Sequence, residues 1–191
     1  MTKLPDFFKK FVKASQSGFT LIELLVVIGI LGILVTAMVA TINPFEQIKK
    51  GNDATLKNVA AEFQTAALRY YTTHGVLPWD ANTANQGDDA CYAAAGSDGT
   101  ISPPVALNNL SACTNALIAD KELKEGFVDF KDLPKLFVTE TDFDTTVCFK
   151  PTSISQRKAA ETKYNQNGTT PASITCPDPE GDDVECYFCV K

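Results

Sequence analysis

A long apolar run near the N-terminus constrains the fold more than any other feature of this 191-residue chain. Residues 18–42 read GFTLIELLVVIGILGILVTAMVATI, with Glu23 as the single charged residue. A helix needs roughly 20 apolar residues to cross the hydrocarbon core of a bilayer, so this run is long enough to span a membrane. A carboxylate at the bilayer centre costs on the order of 2.5 kcal/mol or more. Even near a helix end, Glu23 therefore requires a specific role.

The charge distribution places the two ends of the chain in different compartments. The first 18 residues contribute +3 to a net charge of −6, which leaves −9 for the rest. By the positive-inside rule, the Lys-rich end stays in the cytoplasm and the acidic C-terminal body is exported. An acidic body also argues against general nucleic-acid binding, which requires basic patches. The four leader lysines are Lys3, Lys9, Lys10 and Lys13.

All six cysteines lie in the exported part, where an even count is typical of a disulfide framework. They are Cys91, Cys113, Cys148, Cys176, Cys186 and Cys189. Fifteen connectivities are possible, and the sequence alone does not select one. The spacing favours Cys91–Cys113 as a local loop, with Cys148–Cys189 and Cys176–Cys186 closing the C-terminal part. The single C-x-x-C pair, Cys186 and Cys189, is a weak indication of zinc, because structural zinc sites usually show two close pairs.

Residues 43–74 carry the pattern of an amphipathic helix that follows the apolar run. Asn43 is suited to the N-cap and Pro44 to the first helical position, and we expect a kink at this proline. Apolar residues then recur at the spacing of one helical face, with the charged residues mostly on the others. The apolar positions are Leu56, Val59, Ala60, Phe63, Ala66, Ala67 and Tyr70, and the charged ones are Lys49, Lys50, Asp53, Lys57 and Glu62.

Residues 75–191 predict a small polar head stabilised by disulfides. We expect a loop over residues 80–103 and a short helix over residues 103–123, started by its two prolines. Strand patterns occur at residues 136–138, 145–149 and 186–190. Residues 157–164 favour neither strand nor helix, and residues 165–168 form a turn. The fold prediction is therefore α+β, with a long N-terminal helix whose amphipathic half packs on three or four antiparallel strands.

The start of the apolar run, GFTLIELLVVIGILGIL, closely resembles the class III signal of type IV pilins and pseudopilins. The resemblance implies that residues 1–18 are a leader, that a prepilin peptidase cuts between Gly18 and Phe19, and that the new amine of Phe19 is methylated. Residues 19–42 would then serve as both membrane anchor and filament core. An uncut signal anchor with a cytoplasmic tail is the alternative.

Within this resemblance, Glu23 has an assembly role. Cleavage creates a positive amine at Phe19, and in a filament Glu23 of one subunit can pair with the Phe19 amine of a neighbour. Buried polar groups are best attested in such registry roles. The competing interpretation is that Glu23 reaches the lipid headgroups from the end of its helix.

The chain shows no catalytic constellation and no cofactor motif, so we do not expect an enzyme or a resident metal. Some secretion pseudopilins bind calcium in a C-terminal loop, and a cluster of acids near the C-terminus supplies oxygen ligands of the kind that calcium prefers. The alternative is a solvated acidic turn between two cysteines. His74, the only histidine, is interpreted as a helix-terminal residue rather than a ligand. The acids are Asp178, Glu180, Asp182, Asp183 and Glu185.

The predicted function is a structural subunit of a type IV pilus-like surface filament, serving adhesion, motility or DNA uptake. The alternatives are a pseudopilin of a type II secretion system and a membrane-anchored binding domain that never polymerises. The expected partners are other pilins in a helical homo-oligomer, the prepilin peptidase, and the membrane through residues 19–42. The precursor would cross the cytoplasmic membrane once with its head exported, and the assembled filament would be extracellular or periplasmic.

Overall fold

The computed structural model describes residues 18–41, 43–80, 89–95, 101–141, 144–171, 176–177 and 185–191. Residues 1–17 of the predicted leader lie outside the described residues. The chain separates into two compact units, Met1–Asn43 and Pro44–Lys191. Each unit has its own architecture, and together they give the α+β class that the sequence predicts.

Within its described residues, the first unit contains helix α1, Leu21–Thr41. The stretch Leu21–Val39 is long and apolar enough to cross a membrane, with a mean hydropathy of 2.7 and none of its residues buried within the protein. A helix that is apolar on all sides belongs in a membrane or in the interior of a larger assembly.

The second unit begins with helix α2, Pro44–His74, in which Pro44 takes the first helical position as predicted. The predicted apolar face is buried, apart from Val59, which is partly covered. The helix ends where Gly75 adopts a positive φ of 76°, and the Gly75 N–H donates to the Tyr71 carbonyl at 2.8 Å. A positive φ favours glycine because it has no Cβ. The predicted kink at Pro44 remains a prediction.

The head contains a four-stranded antiparallel sheet in the order β1-β2-β3-β4. The strands predicted at residues 136–138 and 145–149 are confirmed within β2 and β3, which pair from Leu136↔Phe149 to Thr141↔Asp144. The predicted C-terminal strand is confirmed at β4. The four strands are β1, Val105–Ala106; β2, Leu136–Thr141; β3, Asp144–Phe149; and β4, Phe188–Val190.

The connection between helix and sheet differs from the prediction. The helix expected over residues 103–123 is wrong at its start, because Val105 and Ala106 pair with Val138 and Phe137 as an edge strand. Helical structure begins only after this pairing ends, with a 3-10 turn at Leu107–Leu110 and then helix α4, Ser111–Ala119. The predicted loop over residues 80–103 contains the alanine-rich helix α3, Asp89–Ala95, since alanine has the highest helix propensity.

The segment predicted as strand or helix over residues 157–164 is mostly neither. A single helical turn, α5, Ile154–Arg157, precedes it, and the Ser153 hydroxyl caps this turn by accepting from the Gln156 N–H. Tyr164 then forms an isolated antiparallel bridge with Tyr187. The turn predicted at residues 165–168 is present, and Gly168 has a positive φ of 75°.

Aromatic packing and disulfides hold the head together. Phe63 on α2 stacks with Trp79 and Phe127, at ring-centroid distances of 6.3 and 6.2 Å. Three disulfides join α3 to α4, β3 to β4, and the two ends of the segment before β4. They are Cys91–Cys113, Cys148–Cys189 and Cys176–Cys186. These are the three pairs that the sequence spacing favours, so neither Cys186 nor Cys189 is a free thiol that could bind zinc.

Candidate assembly site at the start of the first helix

The predicted cleavage site lies in an exposed segment immediately before α1. Gly18, Phe19 and Thr20 are exposed and non-helical, and Phe19 is 82% exposed. Exposed segments outside regular secondary structure are preferred sites of proteolysis. The structure therefore places the Gly18–Phe19 bond where cleavage would leave α1 intact.

Thr20 and Glu23 form a reciprocal cap at the N-terminus of α1. The Thr20 N–H and hydroxyl donate to Glu23 Oε2 at 2.9 and 2.6 Å. The Glu23 N–H donates to Thr20 Oγ1 at 3.3 Å, and the Leu24 N–H donates to the Thr20 carbonyl at 3.3 Å. This arrangement is a capping box, which satisfies donors that the first turn of a helix leaves unpaired.

The cap changes one expectation about Glu23. The sequence assigns this acid a partner in a neighbouring subunit, whereas within its own subunit the carboxylate already accepts two hydrogen bonds from Thr20. Both donors are neutral groups, so the hydrogen bonds orient the carboxylate without supplying an opposite charge. The arrangement holds Glu23 in one rotamer beside the residue that would become the new N-terminus.

The surface of α1 beyond this cap is apolar on every side. Its large side chains are between 47% exposed, at Val27, and 82% exposed, at Leu21. The Thr36 hydroxyl donates to the Ile33 carbonyl within the same helix at 2.8 Å, which satisfies a polar group that would otherwise be unpaired in an apolar environment. Helix α1 therefore requires lipid or other protein chains around it.

His74, the only histidine of the sequence, is the last residue of α2. His74 stacks on Tyr70 with ring centroids 4.0 Å apart, and its Nε2 lies 3.3 Å from Asp120 Oδ2, which agrees with a structural residue at a helix end. Of the predicted acidic cluster, Asp178, Glu180, Asp182 and Asp183 lie outside the described residues, and Glu185 is exposed. Over the described part of the chain, no group of three or more potential metal ligands is present.

Asp53 is buried, although the sequence pattern groups it with charged residues that lie mostly off the apolar face of α2. Asp53 is only 3% exposed and accepts hydrogen bonds from the Thr152 N–H and hydroxyl, each at 2.9 Å. The Ser153 N–H and hydroxyl donate to it at 2.8 and 2.6 Å. The sequence feature that could have predicted this burial is the spacing of Asp53. It precedes Leu56 by three residues and therefore lies on the buried face of α2.

Two carboxylates that the sequence does not single out, Glu140 and Asp80, lie near Trp79. The buried Trp79 indole donates to Glu140 Oε2 at 2.7 Å. Partial burial, followed by the nearby charge of Asp80, raises the pKa of Glu140 against the opposing effect of the indole hydrogen bond. Burial also raises the pKa of Asp80, while the Leu77 N–H bonded to it acts in the opposite direction. The two carboxylates thus lie in an environment that disfavours their charged forms.

Comparison with known proteins agrees with the motif at the start of the chain. Residues 13–39 match the family described as the prokaryotic N-terminal methylation motif. The type IV major pilin protein PilE of Neisseria gonorrhoeae is 36% identical over 69 residues, which cover 36% of this chain and 40% of that protein. The matched region thus spans less than half the length of this relative. No solved structure matches the present chain. The methylation motif and the partial identity with PilE show that the N-terminal part of this chain is similar to type IV pilins.

Proposed function

We propose that this protein is a structural subunit of a type IV pilus-like surface filament and that it polymerises through residues 19–42 after its leader is removed. The observation that carries the proposal is helix α1 itself, in which no residue of the membrane-length stretch is buried within the protein and a capped carboxylate lies in the first turn. The similarity to a major pilin supports a filament in particular.

The precursor would cross the cytoplasmic membrane once, with the head exported. A prepilin peptidase would cut the exposed Gly18–Phe19 bond and methylate the amine of Phe19. Thr20 becomes the second residue of the mature chain, so its cap on Glu23 survives the cut. Maturation would therefore add a positive charge next to an acceptor that already has its final orientation.

Moving α1 from lipid into a filament core brings little hydrophobic gain, because lipid tails are as apolar as the side chains of the helix. Specificity must come from packing and from polar pairing. In the proposed filament, Glu23 of one subunit pairs with the methylated Phe19 amine of its neighbour. This pair satisfies both charges in only one axial register, which would favour ordered assembly over random association.

The test is the substitution Glu23→Ala, compared with Thr36→Ala as a matched control. Thr36 is also a polar residue of α1, but its hydroxyl is satisfied within its own helix. We expect both variants to insert in the membrane and to be processed. Glu23→Ala should enter sheared filaments at least about tenfold less efficiently, since removing one partner of a buried charge pair costs roughly 3–5 kcal/mol.

Mass spectrometry of the mature N-terminus and of sheared filaments separates the possible outcomes. A methylated Phe19 in filament subunits supports the proposal. Normal incorporation of Glu23→Ala would contradict the pairing mechanism, and retention of residues 1–18 would instead favour a non-polymerising anchored domain. Loss of protein secretion on deletion, without surface filaments, would favour a secretion pseudopilin.

A further inference from the structure

The sheet ends at strand β4, and the outer edge of this strand borders a groove of about 570 Å³. The groove lies where β4 and residues 160–164 diverge, and side chains of α2 line it as well. Its volume falls in the range of small-ligand sites, roughly 300–1,000 Å³. We call it the edge groove, and the lining residues that bear on binding are Lys57, Glu161, Lys163, Tyr164, Cys189 and Lys191.

The backbone of Cys189 directs a hydrogen-bond donor and an acceptor towards this edge. Tyr187 and Tyr164 exchange both of their backbone hydrogen bonds, at 2.7 and 3.2 Å, so the N–H and C=O of Tyr187 point away from β3. These groups alternate in direction along a strand, and those of Cys189, two residues on, therefore point the same way. The Cα atoms of Cys189 and Cys148 are 4.1 Å apart, which agrees with a cross-strand pair that shares no backbone hydrogen bond.

The neighbouring segment turns away from β4 before it reaches Cys189. An antiparallel ladder that continued past Tyr164 would bring Thr162 opposite Cys189. The Thr162 N–H instead donates to the Ala159 carbonyl at 2.9 Å, and its hydroxyl donates to the Gln156 carbonyl at 2.6 Å. Within the described residues, Cys189 therefore occupies an open sheet edge, which is the part of a sheet that accepts another strand.

Lysines flank the edge groove on both faces of the sheet. Lys57 Nζ lies 4.4 Å from the centroid of the Phe188 ring, and Phe188 belongs to the core that the sheet shares with α2. Lys163 and Lys191 lie 5.6 and 4.4 Å from the ring centroid of Tyr164. Tyr164 packs with a separate cluster on the other face of the sheet. The edge of β4 thus has positive charge on each side.

Acids compensate only part of this positive charge. Among the described residues, the acid that pairs with a lysine of the edge groove is Glu161, whose Oε2 lies 3.5 Å from Lys57 Nζ. The two side chains are 66% and 48% exposed, and such exposed pairs are weak. The lysines outnumber the acids even when a terminal carboxylate at Lys191 is counted with Glu161. The edge groove therefore favours an anionic partner, although the net charge of the chain is −6.

Backbone geometry and charge together restrict what can bind. Backbone groups at a sheet edge pair with an extended backbone, and edge lysines disfavour a strand that carries lysines of its own. A second copy of β4 would bring the same lysines, whereas an acidic peptide brings the opposite charge. Because successive side chains of a strand point to opposite faces, two adjacent acids would reach Lys57 on one face and Lys163 or Lys191 on the other.

We propose that the edge groove binds an extended acidic segment of a partner protein, which adds to β4 as a further strand. The backbone of this segment bonds the N–H and C=O of Cys189, and two adjacent carboxylates bond lysines on the two faces. Strand β4 is three residues long, about 10 Å at 3.3 Å per residue, so the paired part of the partner is short. The inference goes beyond the proposed filament, since it requires neither leader cleavage nor polymerisation.

The experiment adds the fluorescently labelled peptide Thr-Val-Asp-Glu-Val-Thr to the full chain in non-ionic detergent micelles and measures binding by fluorescence anisotropy. Three matched peptides are the controls. Asn-Gln in place of Asp-Glu removes the charges, the order Thr-Asp-Val-Glu-Val-Thr puts both acids on one face, and N-methylation of the backbone blocks strand pairing at unchanged charge. We expect each control to bind at least about threefold more weakly, the effect of one exposed ion pair or one net hydrogen bond. Equal binding of the N-methylated peptide would overturn strand addition.

Amide hydrogen exchange of the same chain, followed residue by residue by NMR, tests the backbone contact directly. Saturating acidic peptide should slow exchange of the Cys189 amide about fivefold, which corresponds to one net hydrogen bond. Phe188 is the internal control, because it pairs with Phe149 of β3 and its N–H points away from the groove. Binding that leaves the Cys189 amide unprotected would overturn the proposal.

Substitutions of the charged residues test the two-sided arrangement. Lys57→Gln and Lys191→Gln should each weaken binding about threefold to fivefold. Glu161→Gln should strengthen it, because Glu161 competes with the peptide for Lys57. Lys124→Gln is the control, since Lys124 lines a different groove, and the fluorescence of the buried Trp79 reports whether each variant is folded. Folded lysine variants that bind as tightly as the parent would contradict the proposal.

The remaining outcomes also decide the matter. Absence of binding up to about 1 mM peptide overturns the proposal. Displacement of the peptide by inorganic phosphate at constant ionic strength replaces it with a free anion. Self-association of the chain that excludes the peptide, measured by sedimentation, replaces it with a second copy. The full chain is tested before cleavage or assembly, so each of these results leaves the filament proposal standing, and the Glu23→Ala experiment tests that proposal separately.

Discussion

Helices α1 and α2 differ in where their apolar side chains lie. On α1 these side chains face outward on every side, and no part of the membrane-length stretch is buried. On α2 the stripe from Leu56 to Tyr70 is covered by the head, as at Phe63 and Ala67, both 0% exposed, although Phe45 and Ile48 near its start are exposed. The partner of α2 is thus encoded in the same chain, while the partner of α1 must come from outside. Stability of the head and competence for assembly should therefore respond to different mutations.

The largest effect should come from truncating the centre of the α2 stripe. Phe63→Ala removes a fully buried ring that stacks on Trp79 and Phe127, and we expect it to destabilise the head by about 3–5 kcal/mol. Leu31→Ala is the matched change on α1, where Leu31 is 52% exposed. Urea unfolding followed by Trp79 fluorescence measures the stability of both variants. An equal shift of the unfolding midpoint in the two would contradict the conclusion that α2 stabilises the head and α1 does not.

A smaller effect should come from the polar contact on the same stripe. Asp53→Ala leaves the buried N–H and hydroxyl of Ser153 without their acceptor, together with the same groups of the more exposed Thr152, and we expect a loss of about 1–3 kcal/mol. Glu161→Ala is the control, because Glu161 forms an exposed ion pair with Lys57 at 3.5 Å, and such pairs contribute roughly 0–1 kcal/mol. The same urea unfolding compares them. Similar midpoints for the two variants would show that burial does not strengthen the Asp53 contacts.

The contrast between α1 and α2 could be predicted from the sequence, because it depends on periodicity alone. An uninterrupted apolar run and a stripe at helical spacing are both visible in one chain without any partner. The strongest strands, β2 and β3, were equally visible, since they are rich in β-branched and aromatic residues. These features are local or repeat at a fixed spacing. They can therefore be predicted without knowing which segments contact each other in the folded protein.

What the sequence did not reveal depends on long-range pairing. Strand β1 has only two residues, Val105 and Ala106, and it exists because β2 offers an edge. The role of Asp53 depends on residues 152–153, about 100 positions away in the chain, so the sequence pattern grouped it with the charged residues off the apolar face. Glu23 is an intermediate case, because its spacing from Thr20 is that of a capping box, while its partner in a filament lies on another chain.

The smallest effect should come from the carboxylates beside Trp79. Because the pKa of Glu140 is raised in the folded head, the folded state binds its proton more tightly than the unfolded state. The stabilising contribution is then fully present below the unfolded pKa, near 4.3, and it is lost as the pH rises through the folded pKa.

Glu140→Gln removes this charge and keeps an acceptor for the Trp79 indole. We expect the variant to be slightly more stable than the parent at pH 7, with the difference closing as the pH falls below 4.3. Urea midpoints across this range measure it, with exposed Glu161→Gln as the control. A difference that widens at low pH would mean that the folded head favours the charged carboxylate, and that the indole hydrogen bond outweighs burial.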